Sequence, residues 1–88
     1  MTETLIITET TAVERTLAAG TVMSAQSDVP AEGPWNAMLS LEFHDIADPS
    51  IMGCGTGVQV ESTVKTAGTY RITVTPERMP FTGTLVIG

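Results

Sequence analysis

The segment from Trp35 to Phe43 alternates strictly between its two faces. One face carries Trp35, Ala37, Leu39, Leu41 and Phe43, and the other carries Asn36, Met38, Ser40 and Glu42. A period of two is the pattern of a β-strand with one face on a core. The same alternation recurs from Val58 to Lys65 and from Tyr70 to Thr75. The chain is therefore predicted to be all-β.

Other segments fit that class. Thr4–Thr8 and Thr82–Ile87 are short runs rich in β-branched residues. Thr11–Ala19 has room for about two helical turns, but its β-branched residues weaken a helix and its alternation favours a strand. Glycines and prolines separate the segments at spacings of about 8–12 residues, as in sandwiches and barrels. We predict one domain over residues 1–88, a small antiparallel β-sandwich of about six to seven strands.

The connections between these strands carry their own predictions. Ser27–Pro34 reads as a plain loop, because its prolines cannot donate to a ladder. Asp45–Gly57 is predicted to be the longest connection, with a wide turn or bulge at its glycines and a tip suited to contacts. Pro76–Pro80 is predicted to close a hairpin between the last two strands.

The segment that begins at Thr66 has a Gly-x-Tyr turn, Gly68-Thr69-Tyr70, followed by inward Ile72 and Val74. It resembles the penultimate strand of immunoglobulin-like domains, especially PKD-like and bacterial modules. The resemblance implies an Ig-like sandwich in which the Tyr70 hydroxyl bonds nearby backbone as a tyrosine corner. Trp35 stands where such domains often bury an aromatic residue. The cysteine pair of antibody domains is missing, because Cys54 is the single cysteine.

Charge excludes several classes of partner. Ten acidic residues against four basic ones give a formal net charge of −6. The basic residues are scattered, whereas nucleic acids and anionic membranes require clustered cations. No apolar run approaches the roughly 20 residues of a membrane span, and the first residues lack the features of a signal peptide. No internal disulfide is possible, so the small core has to stabilise the domain without one. We expect formation of a homo-oligomer, or docking on a larger assembly, to supply the missing stability.

A metal site has four weak candidates, namely Glu42, His44, Asp45 and Asp48. Zinc sites need more histidine or cysteine than this segment offers. Oxygen ligands suit calcium better, yet no calcium-loop motif is present. We favour a solvated acidic edge, with no metal or cofactor.

A catalytic site is not expected. The sequence offers two possible catalytic sets. One is Cys54 with His44, and the other is a serine, Ser40 or Ser50, with His44 and Asp45. Adjacent strand residues point to opposite faces, which separates Asp45 from His44. A small sandwich also has little room for a substrate cleft.

A contact surface is the preferred interpretation. Met23, Met38, Met52, Met79 and Phe81 are candidates for partial exposure, although some of them could equally close the ends of the core. The predicted partner contacts are Met52, Gly53, Cys54, Gly55, Arg78, Met79 and Phe81.

The function predicted from these features is a non-enzymatic module that docks on a larger protein assembly. A small, acidic, cysteine-poor β-sandwich is similar in style to capsid decoration proteins of tailed bacteriophages, which implies a capsid lattice as partner and location in the virion. The alternative is an extracellular or surface-displayed domain that binds a glycan or a cation.

Overall fold

The computed structural model describes residues 2–28, 38–78 and 80–88, and these ranges contain eight β-strands. The strands are β1 (Glu3–Ile7), β2 (Thr11–Leu17), β3 (Val22–Ser27), β4 (Leu39–Asp45), β5 (Met52–Gly57), β6 (Gln59–Thr63), β7 (Gly68–Pro76) and β8 (Gly83–Ile87). The segment from Thr11 is thus a strand, as its alternation predicts. Within the described ranges, no helix has the length and hydropathy to cross a membrane.

The strands form two antiparallel four-stranded sheets, which confirms the sandwich. One sheet has the order β1-β8-β3-β6 and the other has the order β2-β7-β4-β5. Among the described strands, consecutive strands lie in opposite sheets, except for β4 and β5. This strand order is that of a double-sheet jelly roll.

The order differs from that of the immunoglobulin fold, in which several consecutive strands share a sheet. The prediction of a hairpin over 76–80 is wrong, because β7 and β8 lie in opposite sheets. The Gly-x-Tyr motif determines where β7 begins and which of its residues face inward. It does not determine which strands lie beside β7.

The core lies between the sheets and is built from the alternating residues of the sequence pattern. Its buried apolar residues are Ile7, Leu17, Met23, Ala25, Leu39, Leu41, Phe43, Val60, Val64, Tyr70, Ile72, Val74, Phe81, Leu85 and Ile87. The first predicted strand is shifted, because β4 begins at Leu39 and continues to Asp45. Trp35 lies outside the described residues. Val58 is half exposed, so the inward pattern of β6 starts at Val60.

Tyr70 forms the bond that the Gly-x-Tyr resemblance implies. Its side chain is fully buried, and its hydroxyl donates to the backbone oxygen of Thr66 at 2.5 Å. The ring meets that of Phe43 edge to face, with centroids 5.9 Å apart. Burial raises the pKa of the Tyr70 hydroxyl, and the nearby carboxylate of Asp45 raises it further. The phenol therefore remains protonated and available as a donor.

An ion pair joins β1 of one sheet to β2 of the other. Arg15 donates from Nε and Nη2 to the two carboxylate oxygens of Glu3, each at 2.7 Å. This two-point geometry is the favourable one for arginine and a carboxylate. The hydrogen bond and the charge of Arg15 lower the pKa of Glu3.

Replacement of Tyr70 by Phe tests the tyrosine corner. The change leaves the Thr66 carbonyl without its partner, so we expect the melting temperature to fall by about 5–10 °C. The matched control is Thr16→Val, which removes an exposed hydroxyl bonded to Thr69 and should change little. Equal losses in the two variants would contradict a special role for Tyr70.

The ion pair predicts a pH dependence of stability. Because the pKa of Glu3 is lowered in the folded state, its contribution is complete above the ordinary carboxyl pKa and is lost as the pH falls through the lowered value. Thermal melts should show the wild type above Glu3→Gln at neutral pH. The gap should close as the pH falls from about 5 through the lowered pKa of Glu3. A gap that is constant with pH would show that the charge of Glu3 is irrelevant.

Candidate functional site

The outermost strands of the two sheets differ in charge. An outermost strand has backbone groups without a neighbour, and charged side chains commonly protect it from unwanted pairing. Glu3 lies on β1, Glu14 and Arg15 lie on β2, and Glu61 lies on β6. β5 is also outermost, and its six residues carry no charge. Among the described strands, β5 is the edge that charge does not protect.

The ladder between β4 and β5 shows which backbone groups of β5 are free. The amide of Asp45 donates to the carbonyl of Ile51 at 2.9 Å. Antiparallel ladders alternate every second residue, so the glycines of β5 direct their backbone groups toward β4. Met52, Cys54 and Thr56 direct theirs to the open side, where no described residue bonds to them.

Glycines occupy the inward positions of β5 for a steric reason. A Cβ on Gly53 would lie 2.6 Å from Cζ of Phe43, and one on Gly55 would lie 2.7 Å from Cγ1 of Val60. The Phe43 ring and the Val60 side chain therefore fill the space under the strand. The segment predicted to be a glycine-rich loop is in fact this strand. Its inward residues have no side chains, so no apolar alternation marked it in the sequence.

A cleft of about 270 Å³ opens between the start of β5 and the end of β6. Phe43, Ile51 and Met52 form its apolar wall, and Ser62, Thr63 and Lys65 form the polar wall; Gly53 and Tyr70 complete the lining. The cleft separates the two strands at this end. A second depression of about 410 Å³, between residues 16–21 and the C-terminal residues, is lined by no charged side chain.

Two exposed apolar side chains lie at the ends of β5. The described residues include four large ones, namely Ile6, Ile46, Met52 and Val58. Met52 is 67% exposed at the first residue of β5, and Val58 is 50% exposed just after its last residue. Ile46 lies in the connection that leads into the strand. Met52 and Val58 thus lie at the two ends of β5, whereas Ile46 lies beside β7, where its amide donates to the carbonyl of Thr69.

The four metal candidates do not converge. Glu42 and His44 lie on the outer face of their sheet, whereas Asp45 is buried. Oδ1 of Asp45 accepts from the amides of Ala47 and Asp48 at 2.8 and 3.2 Å. Asp48 in turn accepts from the amide and hydroxyl of Ser50. Both aspartates shape the turn before β5, and the described residues contain no group of three His, Cys, Asp or Glu placed to hold a metal.

The catalytic candidates Ser40, His44 and Cys54 lie on the outer face of their sheet, whereas Ser50 lies in the turn before β5. His44 is opposite Met52 and Cys54 is opposite Glu42, so the cysteine and histidine are diagonal neighbours, about 7–8 Å apart at their backbones. Asp45 points away from His44, as the sequence predicts. Ser40 has Thr56 and Glu77 as partners, and Ser50 has Asp48.

The predicted contact residues do not lie together. Met52, Gly53, Cys54 and Gly55 lie together on β5. Arg78 is exposed near the opposite end of that sheet, where Pro76 pairs with Leu39 and Leu39 pairs with Gly57. Met79 lies outside the described residues.

The prediction that the Phe81 side chain is exposed is wrong. It is 4% exposed, and its ring lies against Gly83, where a Cβ would come within 2.6 Å of it. Met23 is likewise buried, opposite Ile87 of β8. Both residues belong to the core and are unavailable for contacts. The prediction failed because the sequence around an isolated apolar residue does not show whether its side chain points inward or outward.

A comparison with solved structures supports the fold. No family model matches the chain, and no curated protein matches it. The chain is similar in structure to PliG of Aeromonas hydrophila, a periplasmic inhibitor of g-type lysozyme, with a TM-score of 0.52 and 16% identity. The match covers 100% of this chain and 82% of that one. At this identity the likeness shows a shared β-sandwich architecture.

Replacement of Asp45 by Ala distinguishes a structural aspartate from a metal ligand. The change leaves two turn amides without their acceptor, so we expect a loss of about 1–2 kcal/mol in the free energy of unfolding. The loss should be the same in calcium and in chelator. Glu42→Gln, on the exposed outer face, is the control and should be neutral. A loss confined to calcium-containing buffer would restore the metal hypothesis.

Proposed function

We propose that this domain is a non-enzymatic protein-binding module that pairs an extended segment of its partner with the open edge of β5. The observation that carries the proposal is the uncharged β5, with the backbone groups of Met52, Cys54 and Thr56 unpaired by any described residue. Strand addition is a recurring mode of recognition, in which main-chain bonds supply affinity and alternate side chains supply specificity.

Two further observations support this reading over catalysis. Cys54 and Ser40 lie on the outer face of a sheet and Ser50 lies in a turn, and the described hydrogen bonds of both serines go to residues other than His44. The structure of similar fold is that of an inhibitor, and inhibitor proteins act by binding their targets. That protein is periplasmic, which agrees better with an extracellular location than with a virion. The comparison gives no support to a capsid lattice as partner, so the proposal is the broader one.

The open edge can be tested with a library of short extended peptides selected for binding to the folded domain. Amide hydrogen exchange should then show protection at Met52, Cys54 and Thr56 when a selected peptide is bound. Cys54→Pro should weaken binding by at least about tenfold, because it removes a free donor without touching the ladder to β4.

Glu61→Pro is the matched control. Ladder bonds from Ser27 to Val58 and from Val64 to Thr21 place the amide of Glu61 on the free side of β6. This variant therefore removes the same kind of donor from the other edge and should bind peptides normally. Selected peptides that protect other amides, or that bind Cys54→Pro unchanged, would refute the proposed site.

A further inference from the structure

We infer that the segment that pairs with β5 is β5 of a second copy of this chain, in antiparallel orientation, with Cys54 of each copy opposite Cys54 of the other. This inference rests on the proposed function, because it names the partner of the same edge. The result would be a two-fold dimer with one continuous eight-stranded sheet.

The positions of the free backbone groups define the register. Met52, Cys54 and Thr56 are spaced symmetrically about Cys54. An antiparallel pair centred there sets Met52 of one copy opposite Thr56 of the other, and every free donor and acceptor of β5 then has a partner. A shift by two residues would leave part of each edge unpaired, which is costly when the edge becomes buried.

The exposed methionine of β5 fits this register. Met52 is 67% exposed on the outer face of the strand, and the pairing sets it directly opposite Thr56 of the second copy. Side chains directly opposite each other across an antiparallel pair are in contact, so each end of the joint would cover one Met52. Val58 takes no part, because it lies beyond β5, where its carbonyl accepts from the amide of Ser27 on β3.

Charge does not oppose the pairing locally. β5 has no charged residue, and the nearest acidic residue across the ladder is Glu42 on β4. The two copies of Glu42 would be three strand spacings apart, about 14 Å, which exceeds the screening length of about 8 Å at physiological ionic strength. The net charge of −6 on each copy still repels at long range, so added salt should strengthen the dimer.

Sedimentation equilibrium over a concentration series tests the inference. We expect a reversible monomer–dimer equilibrium for the wild type that tightens with salt. Cys54→Pro should raise the dimer dissociation constant by roughly 10- to 100-fold, since two central hydrogen bonds are lost. Glu61→Pro, the matched change on β6, should leave the constant unchanged. Circular dichroism checks that each variant is folded.

Thiol cross-linking of the wild type keeps the test independent of the proline variant. The two Cys54 Cα atoms would be about 5.5 Å apart, within the span of a disulfide. Mild oxidation should therefore yield a covalent dimer rapidly, whereas a Cys54→Ser, Glu61→Cys variant should not.

The outcomes separate this inference from the function on which it rests. A wild type that stays monomeric, or a dimer that Cys54→Pro leaves intact, overturns self-pairing. If the monomer still binds selected peptides along β5, the proposed function stands with another partner. If it binds none, both are wrong.

Discussion

The close approach of core side chains to the backbone of β5 determines how one side of this sandwich is built. Phe43 and Val60 occupy the volume that side chains at Gly53 and Gly55 would need. The strand can therefore lie directly on the core while contributing no inward side chain of its own. The side chains of β5 are those of its outward residues, Met52, Cys54 and Thr56, because its inward residues are glycines. The packing that closes the core thus leaves an edge strand with few side chains, at which the free backbone groups are the main groups available for binding.

The opposite side of the sandwich is closed by different chemistry. There the two-point ion pair between Arg15 and Glu3 joins the outermost strands of the two sheets. An ion pair at this degree of exposure contributes little to stability by itself. Its second effect is to place charge on both of those strands, which makes them poor templates for pairing. The two sides therefore differ in their availability to another chain.

Much of the fold could be predicted from the period of two, and the failures have a physical cause. Leu41 and Ile72 occur in alternating segments and are buried as the alternation requires. Tyr70 forms its predicted bond because a corner depends on residues close in sequence. The jelly-roll order depends on which distant strands pack together, and no local pattern records that. β5 escaped recognition because glycine gives no hydropathy signal. Met52 was therefore predicted to lie in a loop and lies in a strand, whereas Phe81 was predicted to be exposed and is core.

A single uncharged edge among the described strands limits what kind of assembly can form. Pairing of β5 with β5 is two-fold symmetric, so it uses the free edge of both copies and leaves none for a third. If β5 instead paired with a different edge of the next copy, each addition would present a new β5, and growth would continue into a fibre. Charges on Glu3, Glu14 and Glu61 disfavour that second kind of contact. The distribution of charge among the four outermost strands therefore favours a closed dimer over an open polymer, with the neutral glycine-rich strand at its centre.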